Sequence, residues 1–217
     1  ANAFTGDCVG CGRCVERCRH DARRISGKEI SSDEVVKTVL KDREFYRTSG
    51  GGVTLSGGEP LMQIDFAADI LKKCRENGIH TAVETAGFVK WERFLKVIDC
   101  VDLFLYDIKG IDRENHIKNT GVSNELILEN AKKLMAAEKN IRFRMPVVPE
   151  HNMREVAAVK AFAGDFPLEL MKYHTTGRGK YDALSRSEQK LAIVPPTDEE
   201  MEALAAENGA IYNKTGV

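Results

Sequence analysis

Apolar positions recur along the chain in two alternating rhythms. Val35, Val36, Val39 and Leu40 fall at helical spacing, with Ser32 or Asp33 as a candidate cap, and that pattern stops before the glycines at 50–52. Beyond it, short apolar runs alternate with longer stripes of period 3.6. Strands are predicted at Val53–Ser56, His80–Glu84, Leu103–Ile108, Ile141–Val147 and Leu168–Tyr173, with a last short one at Ala210–Tyr212. The stripes between them predict helices from about Gln63 to Glu76, Lys90 to Val97, Asn124 to Ala137, Met153 to Ala163 and Asp198 to Glu207. The first of these is closed by Asn77-Gly78. Between Ile108 and Asn124 the pattern gives only a polar connection.

Strand–helix repetition implies a parallel sheet with helices packed outside it, either an open wound sheet or a whole or partial barrel. In both architectures ligands collect at the C-terminal strand ends. Polar residues gather at those ends here: Gly57-Gly58-Glu59 after the first strand, Glu84-Thr85 after the second, Asp107 and Lys109 after the third. Arg144 follows in the fourth strand and Tyr173-His174 after the fifth. The stretch SGGGVTLSGGEPL, Ser49 to Leu61, brackets the first strand with five glycines, residues that let a ligand approach the backbone closely.

A chain of 217 residues is long enough for one large domain with a small appendage. The net charge of −1 draws it to neither nucleic acid nor membrane, and no apolar run approaches membrane-spanning length. The expected location is the cytoplasm. Four of the six cysteines crowd into the first twenty residues as Cys8-x2-Cys11-x2-Cys14-x3-Cys18, the spacing of bacterial ferredoxins, in which thiolates wrap an iron–sulfur cube. Arg19 stands where that pattern has proline. Cys74 and Cys100 lie in apolar surroundings and are expected to be buried structural thiols.

Taken together, DCVGCGRCVERC, KDREFYRTSGGGVTLSGGEPL, GIHTAVETAGF, VDLFLYDIKG, TGVSNELILEN, IRFRMPVVPEHN and MKYHTTGRGKY resemble the activating enzymes of glycyl radical enzymes. These form a branch of the radical S-adenosylmethionine (SAM) superfamily, and the likeness is to the subgroup with a ferredoxin-like insert. The resemblance implies an α/β fold, a partial (β/α)6 TIM-type barrel. Residues 1–30 would be a remnant of the 4Fe–4S insert and residues 31–217 the barrel. The family's CxxxCxxC motif, whose thiolates hold the SAM-cleaving cluster, is not in this sequence. The chain is therefore expected to be N-terminally truncated, to lack the first barrel strand, and to be inactive alone. Val53–Ser56 would then be an open sheet edge, inviting dimerisation.

The resemblance also implies residue roles. Gly57, Gly58, Glu59 and Pro60 would receive the SAM amino group. Glu84, Thr85 and Asp107 would hold a monovalent cation beside it, unless the two carboxylates are simply neutralised by Lys109. Lys109 and Arg144 would lie near the SAM carboxylate and His174 near the cofactor. Arg142 is expected to face away, in an outer salt bridge. Cys8, Cys11, Cys14 and Cys18 would hold a 4Fe–4S cluster. The implied activity is reductive cleavage of SAM to a 5′-deoxyadenosyl radical, which takes hydrogen from a glycine of a partner glycyl radical enzyme. A flavodoxin or ferredoxin would supply the electron. The rival reading is an iron–sulfur electron-transfer or binding protein on an inert barrel.

Overall fold

The computed structural model describes residues 9, 11–25, 27–176 and 192–214. The chain divides into two compact units, 1–30 with 174–193, and 31–173 with 194–217. In the first unit, a single turn of helix, α1 (Arg13–Glu16), rises inside the cysteine run.

The second unit opens with α2 (Ser32–Val39). Its cap is Ser31, one residue before the expected pair: the Ser31 hydroxyl accepts from the Glu34 N–H at 3.2 Å, and the Glu34 carboxylate accepts from the Ser31 N–H at 3.0 Å. This reciprocal box satisfies two donors that a helix start otherwise leaves orphaned. A 3₁₀ turn (Leu40–Asp42) and α3 (Arg43–Ser49) complete the approach to the sheet.

Strand and helix then alternate as β1 (Gly52–Leu55), α4 (Ile64–Glu76), β2 (His80–Thr85), α5 (Trp91–Leu95) and β3 (Leu103–Asp107). They continue as α6 (Arg113–Thr120), α7 (Glu125–Ala136), β4 (Ile141–Val147), α8 (Val156–Ala163), β5 (Leu168–Lys172), α9 (Asp198–Glu207) and β6 (Ile211–Tyr212). The six strands pair in parallel and in sequence order, β1 to β6. Among the described residues β1 pairs only with β2, so it forms an edge.

Helix α6 replaces the expected polar connection. Its sequence, RENHIKNT, carries no apolar stripe, and only His116 is buried. Local chemistry forms it instead: Asp112 accepts from the Asn115 N–H at 2.6 Å at the start, and Gly121 ends it at φ 82°.

Strand register sorts the side chains onto two faces. Val83, Phe104, Tyr106, Phe143, Met145, Leu168 and Leu170 point to the helix side, where they pack with Phe94, Ile127, Leu134, Val159 and Met201. Phe94, Phe104, Tyr106, Phe143 and Phe166 form a chain of ring contacts with centroids 5.9–6.4 Å apart. The opposite face carries Glu84, Leu105, Asp107, Arg142, Arg144 and Glu169. The expected facing of Arg142 was wrong, while the salt bridge expected of it is present. Residues two apart in a strand share a face, so Arg142 lies on the Arg144 side, 3.8 Å from the Glu169 carboxylate.

Candidate functional site

The C-terminal strand ends of the second unit build one polar rim. Beyond β1 the chain turns through Ser56-Gly57-Gly58, with Gly57 at φ 137°. A Cβ at either glycine would meet nothing within 4 Å, so the backbone there is open to a ligand. Glu59 caps the 3₁₀ turn Pro60–Gln63 through the Leu61 N–H at 3.1 Å. Its carboxylate also accepts from the Thr85 hydroxyl at 2.9 Å and the Ala86 N–H at 3.1 Å. Glu59 is therefore a latch between the ends of β1 and β2, with most of its acceptor capacity already used. Thr85 is buried and passes the network on, accepting the Gly87 N–H at 2.9 Å.

Across β2, β3 and β4 runs a line of charge. Arg144 sits between two carboxylates. Its Nη2 lies 2.5 Å from Glu84 and 2.9 Å from Asp107, and its Nε is 3.0 Å from the same Asp107 oxygen. The Ser56 hydroxyl donates to the other Glu84 oxygen at 3.0 Å, which ties in the end of β1. Burial pushes the Asp107 carboxyl up from its ordinary value, while Arg144 and, more weakly, Lys109 pull it down. The guanidinium thus lies between Glu84 and Asp107, two of the residues expected to hold a monovalent cation. It is also the neutralising partner, the role the sequence reading alternatively gave to Lys109, which is exposed.

Side chains from the following helices brace the rim. Asn130 donates to the Gly87 carbonyl at 2.9 Å and the Val89 carbonyl at 2.7 Å. Arg93 donates to the carbonyls of Leu61 and Met62 at 2.6 and 2.7 Å. Asn124, Asn152 and Glu155 hold the turn after β3. Sequence reading missed all of these. Their signal was present in polar residues at helix starts and, for Asn130, within an otherwise apolar stripe.

A family model, Radical SAM superfamily, matches residues 5–163. The chain belongs to the radical SAM superfamily. Among curated relatives, it is 41% identical over 193 residues to the trans-4-hydroxy-L-proline dehydratase activating enzyme of Clostridioides difficile, covering 85% of this chain and 64% of that one. It is 41% identical over 189 residues to the choline trimethylamine-lyase activating enzyme of Oleidesulfovibrio alaskensis, covering 82% and 60%. The radical SAM chain described here thus spans about six-tenths of the length of these relatives. A crystal structure of a domain of pyruvate-formate lyase-activating enzyme from Bacteroides vulgatus superposes with a TM-score of 0.60 at 27% identity, covering 75% of this chain and 98% of that one.

Gly57, Gly58, Glu59, Pro60, Glu84, Thr85, Asp107 and Lys109 of this radical SAM chain lie at the C-terminal strand ends, and Arg144 lies within β4 beside Asp107. His174 is exposed and belongs to the first unit. Cys8 lies outside the described residues. Cys11 and Cys14 are exposed, and among the described residues no three His, Cys, Asp or Glu side chains converge on one point. The thiol chemistry nonetheless suits cluster ligation. The Arg13 guanidinium donating to Cys11 lowers its pKa, and backbone N–H donors of His20 and Ala22 lower that of Cys18, favouring the ligating thiolate. Cys74 is buried in α4, and burial pushes its thiol up. A cavity of ≈290 Å³ lined by Arg43, Tyr46, Arg47 and His80 opens at the N-terminal strand ends, away from this rim.

Proposed function

We propose that the rim binds SAM and that the chain is the SAM-binding portion of an activating enzyme for a glycyl radical enzyme. The observation that supports it most is the convergence of open glycine backbone, paired carboxylates and two cations beside the face of a radical SAM sheet opposite its packed core helices. The carbonyls at Gly57 and Gly58 receive the substrate ammonium, while Glu59 keeps that turn in place rather than offering a vacant carboxylate. Lys109 and Arg144 attract the carboxylate of the amino-acid end.

Cys8, Cys11, Cys14 and Cys18 hold a 4Fe–4S cluster, with a flavodoxin or ferredoxin as the electron donor. Cofactor and cluster together supply one-electron cleavage chemistry; the chain's own residues bind, orient and exclude water. The relatives' names place activating enzymes beside several different lyases and dehydratases, so the partner here is a glycyl radical enzyme without further specification. No described helix is long and apolar enough to cross a membrane. We assign the protein to the cytoplasm.

Calorimetric titration of the purified protein with S-adenosylhomocysteine tests the binding half. Saturable one-to-one binding, weakened by Arg144→Met, is the expected result. An iron–sulfur protein on an inert barrel would show no binding heat at any ligand concentration. Because the CxxxCxxC motif is not in this chain, reconstituted protein with reductant and SAM is expected to release no 5′-deoxyadenosine. Its release would contradict that assignment.

A further inference from the structure

We propose that Glu155, together with Asn152 and Asn124, forms a positioning clamp that fixes the spacing of the Lys109 and Arg144 cations for recognition of a ligand carboxylate. The inference rests on the SAM-binding reading of the rim.

After β3 the chain leaves the sheet through Lys109-Gly110-Ile111-Asp112. Side chains satisfy this turn. Asn152 donates to the Lys109 carbonyl at 2.8 Å. Asn124 donates to the Gly110 carbonyl at 3.1 Å and the Ile111 carbonyl at 2.8 Å. One oxygen of Glu155 accepts from the Ile111 N–H at 2.6 Å and the Asp112 N–H at 2.8 Å, and the other accepts from the Asn115 amide. The three clamp residues are 2–7% exposed.

A carboxylate this buried is a costly choice unless its geometry is needed. Glu155 has no basic partner among the described residues; its charge is balanced by hydrogen-bond donors alone. An acceptor-only group is what two adjacent backbone N–H groups demand. Gly110 completes the fit: a Cβ there would come within 2.7 Å of a Glu155 oxygen, so the glycine makes room for the carboxylate.

Asn152 extends the clamp to the next strand. Its carbonyl accepts from the Val148 N–H at 2.7 Å, and its amide donates to the Pro146 carbonyl at 2.8 Å. Pro146 is two residues beyond Arg144 in β4. One short segment, Asn152–Glu155, therefore grips both the turn that carries Lys109 and the strand end that carries Arg144. No clamp residue need touch the ligand; the effect passes through the separation of two cations, on which the strength of a two-point carboxylate contact depends.

Two ligands separate positioning from general stability. S-adenosylhomocysteine carries the amino-acid end, and 5′-methylthioadenosine lacks it. Glu155→Gln, and independently Gly110→Ala, are expected to weaken S-adenosylhomocysteine roughly tenfold, the size of one charge-assisted contact. Both should leave 5′-methylthioadenosine within about twofold, since its contacts involve no carboxylate. In a Lys109→Met background, Glu155→Gln should add little. Because the two variants attack one contact from opposite sides, either suffices if the other does not fold. Equal weakening of both ligands, no weakening of either, or a full additional loss in the Lys109→Met background would overturn the clamp. A wild-type protein that binds neither ligand would refute the site reading itself, and this inference with it.

Discussion

Arg144→Met is the perturbation on which the rim's electrostatics depend most heavily. The wild-type guanidinium makes three close contacts, at 2.5, 2.9 and 3.0 Å, with Glu84 and Asp107, and its side chain is 11% exposed. Methionine keeps the stem's volume but leaves two neighbouring carboxylates without a cation. Removing one partner of a buried pair costs about 3–5 kcal/mol. For a chain of this size that corresponds to a fall in melting temperature of roughly 10 °C at neutral pH, at ~2–4 °C per kcal/mol. The loss depends on pH. Burial already raises Asp107, and Arg144 opposes that rise. Without the arginine the folded-state value climbs further above the unfolded one. A raised carboxyl favours the folded state below its unfolded value, and that contribution is lost as pH rises through the folded value. The variant should therefore approach wild type as pH falls toward the ordinary carboxylate range and diverge as pH rises. Thermal melts of both proteins across this range measure it. A deficit below about 3 °C at neutral pH, or one independent of pH, would refute the argument that Arg144 neutralises both carboxylates.

Thr85→Val is isosteric but removes the hydroxyl that joins Glu59 to the Gly87 N–H; chemical denaturation should show a loss of about 2–4 kcal/mol. Phe143→Ala empties the centre of the ring chain and should cost about 3–5 kcal/mol in the same assay. Asp198, held below its ordinary value first by Lys172 and then by Tyr212, contributes stability above its unfolded value that vanishes as pH falls through its folded one. Asp198→Asn should thus be destabilising near neutrality and silent in acid, in a lower window than Arg144→Met. Since Arg144 already stands between Glu84 and Asp107, replacing potassium with tetramethylammonium at constant ionic strength should leave S-adenosylhomocysteine affinity unchanged, as calorimetry would show.

The sheet was legible because its signal is redundant. In β3 and β4 the alternation of Phe104 and Tyr106 with Leu105 and Asp107, and of Phe143 and Met145 with Arg142 and Arg144, reports two faces as well as a strand. Helix α6 was not legible, because capping and turn chemistry rather than burial define it. The rim residues could be named because charge and glycine at strand ends are conspicuous in sequence. How they are used was not visible. Glu59 reads as a ligand until the Thr85, Leu61 and Ala86 donors appear around it, and Arg144 reads as a separate cation until it is found between two carboxylates. Asn124, Asn152 and Glu155 escaped because the backbone groups they satisfy belong to a turn 13–44 residues away in sequence. His116 shows the opposite case: a lone histidine whose partner is the nearby Val122 carbonyl at 2.8 Å, given no role by the sequence and found bracing a turn.

Amide hydrogen exchange with and without S-adenosylhomocysteine tests the central claim most directly. If the strand-end rim is the binding site, new protection will concentrate at Gly57–Glu59, Thr85–Gly87 and Lys109–Asp112, while the cavity beside Arg43 and Gly51 exchanges as before. Protection confined to that cavity at the opposite strand ends would contradict the account, as would ligand binding that leaves all three rim segments unprotected.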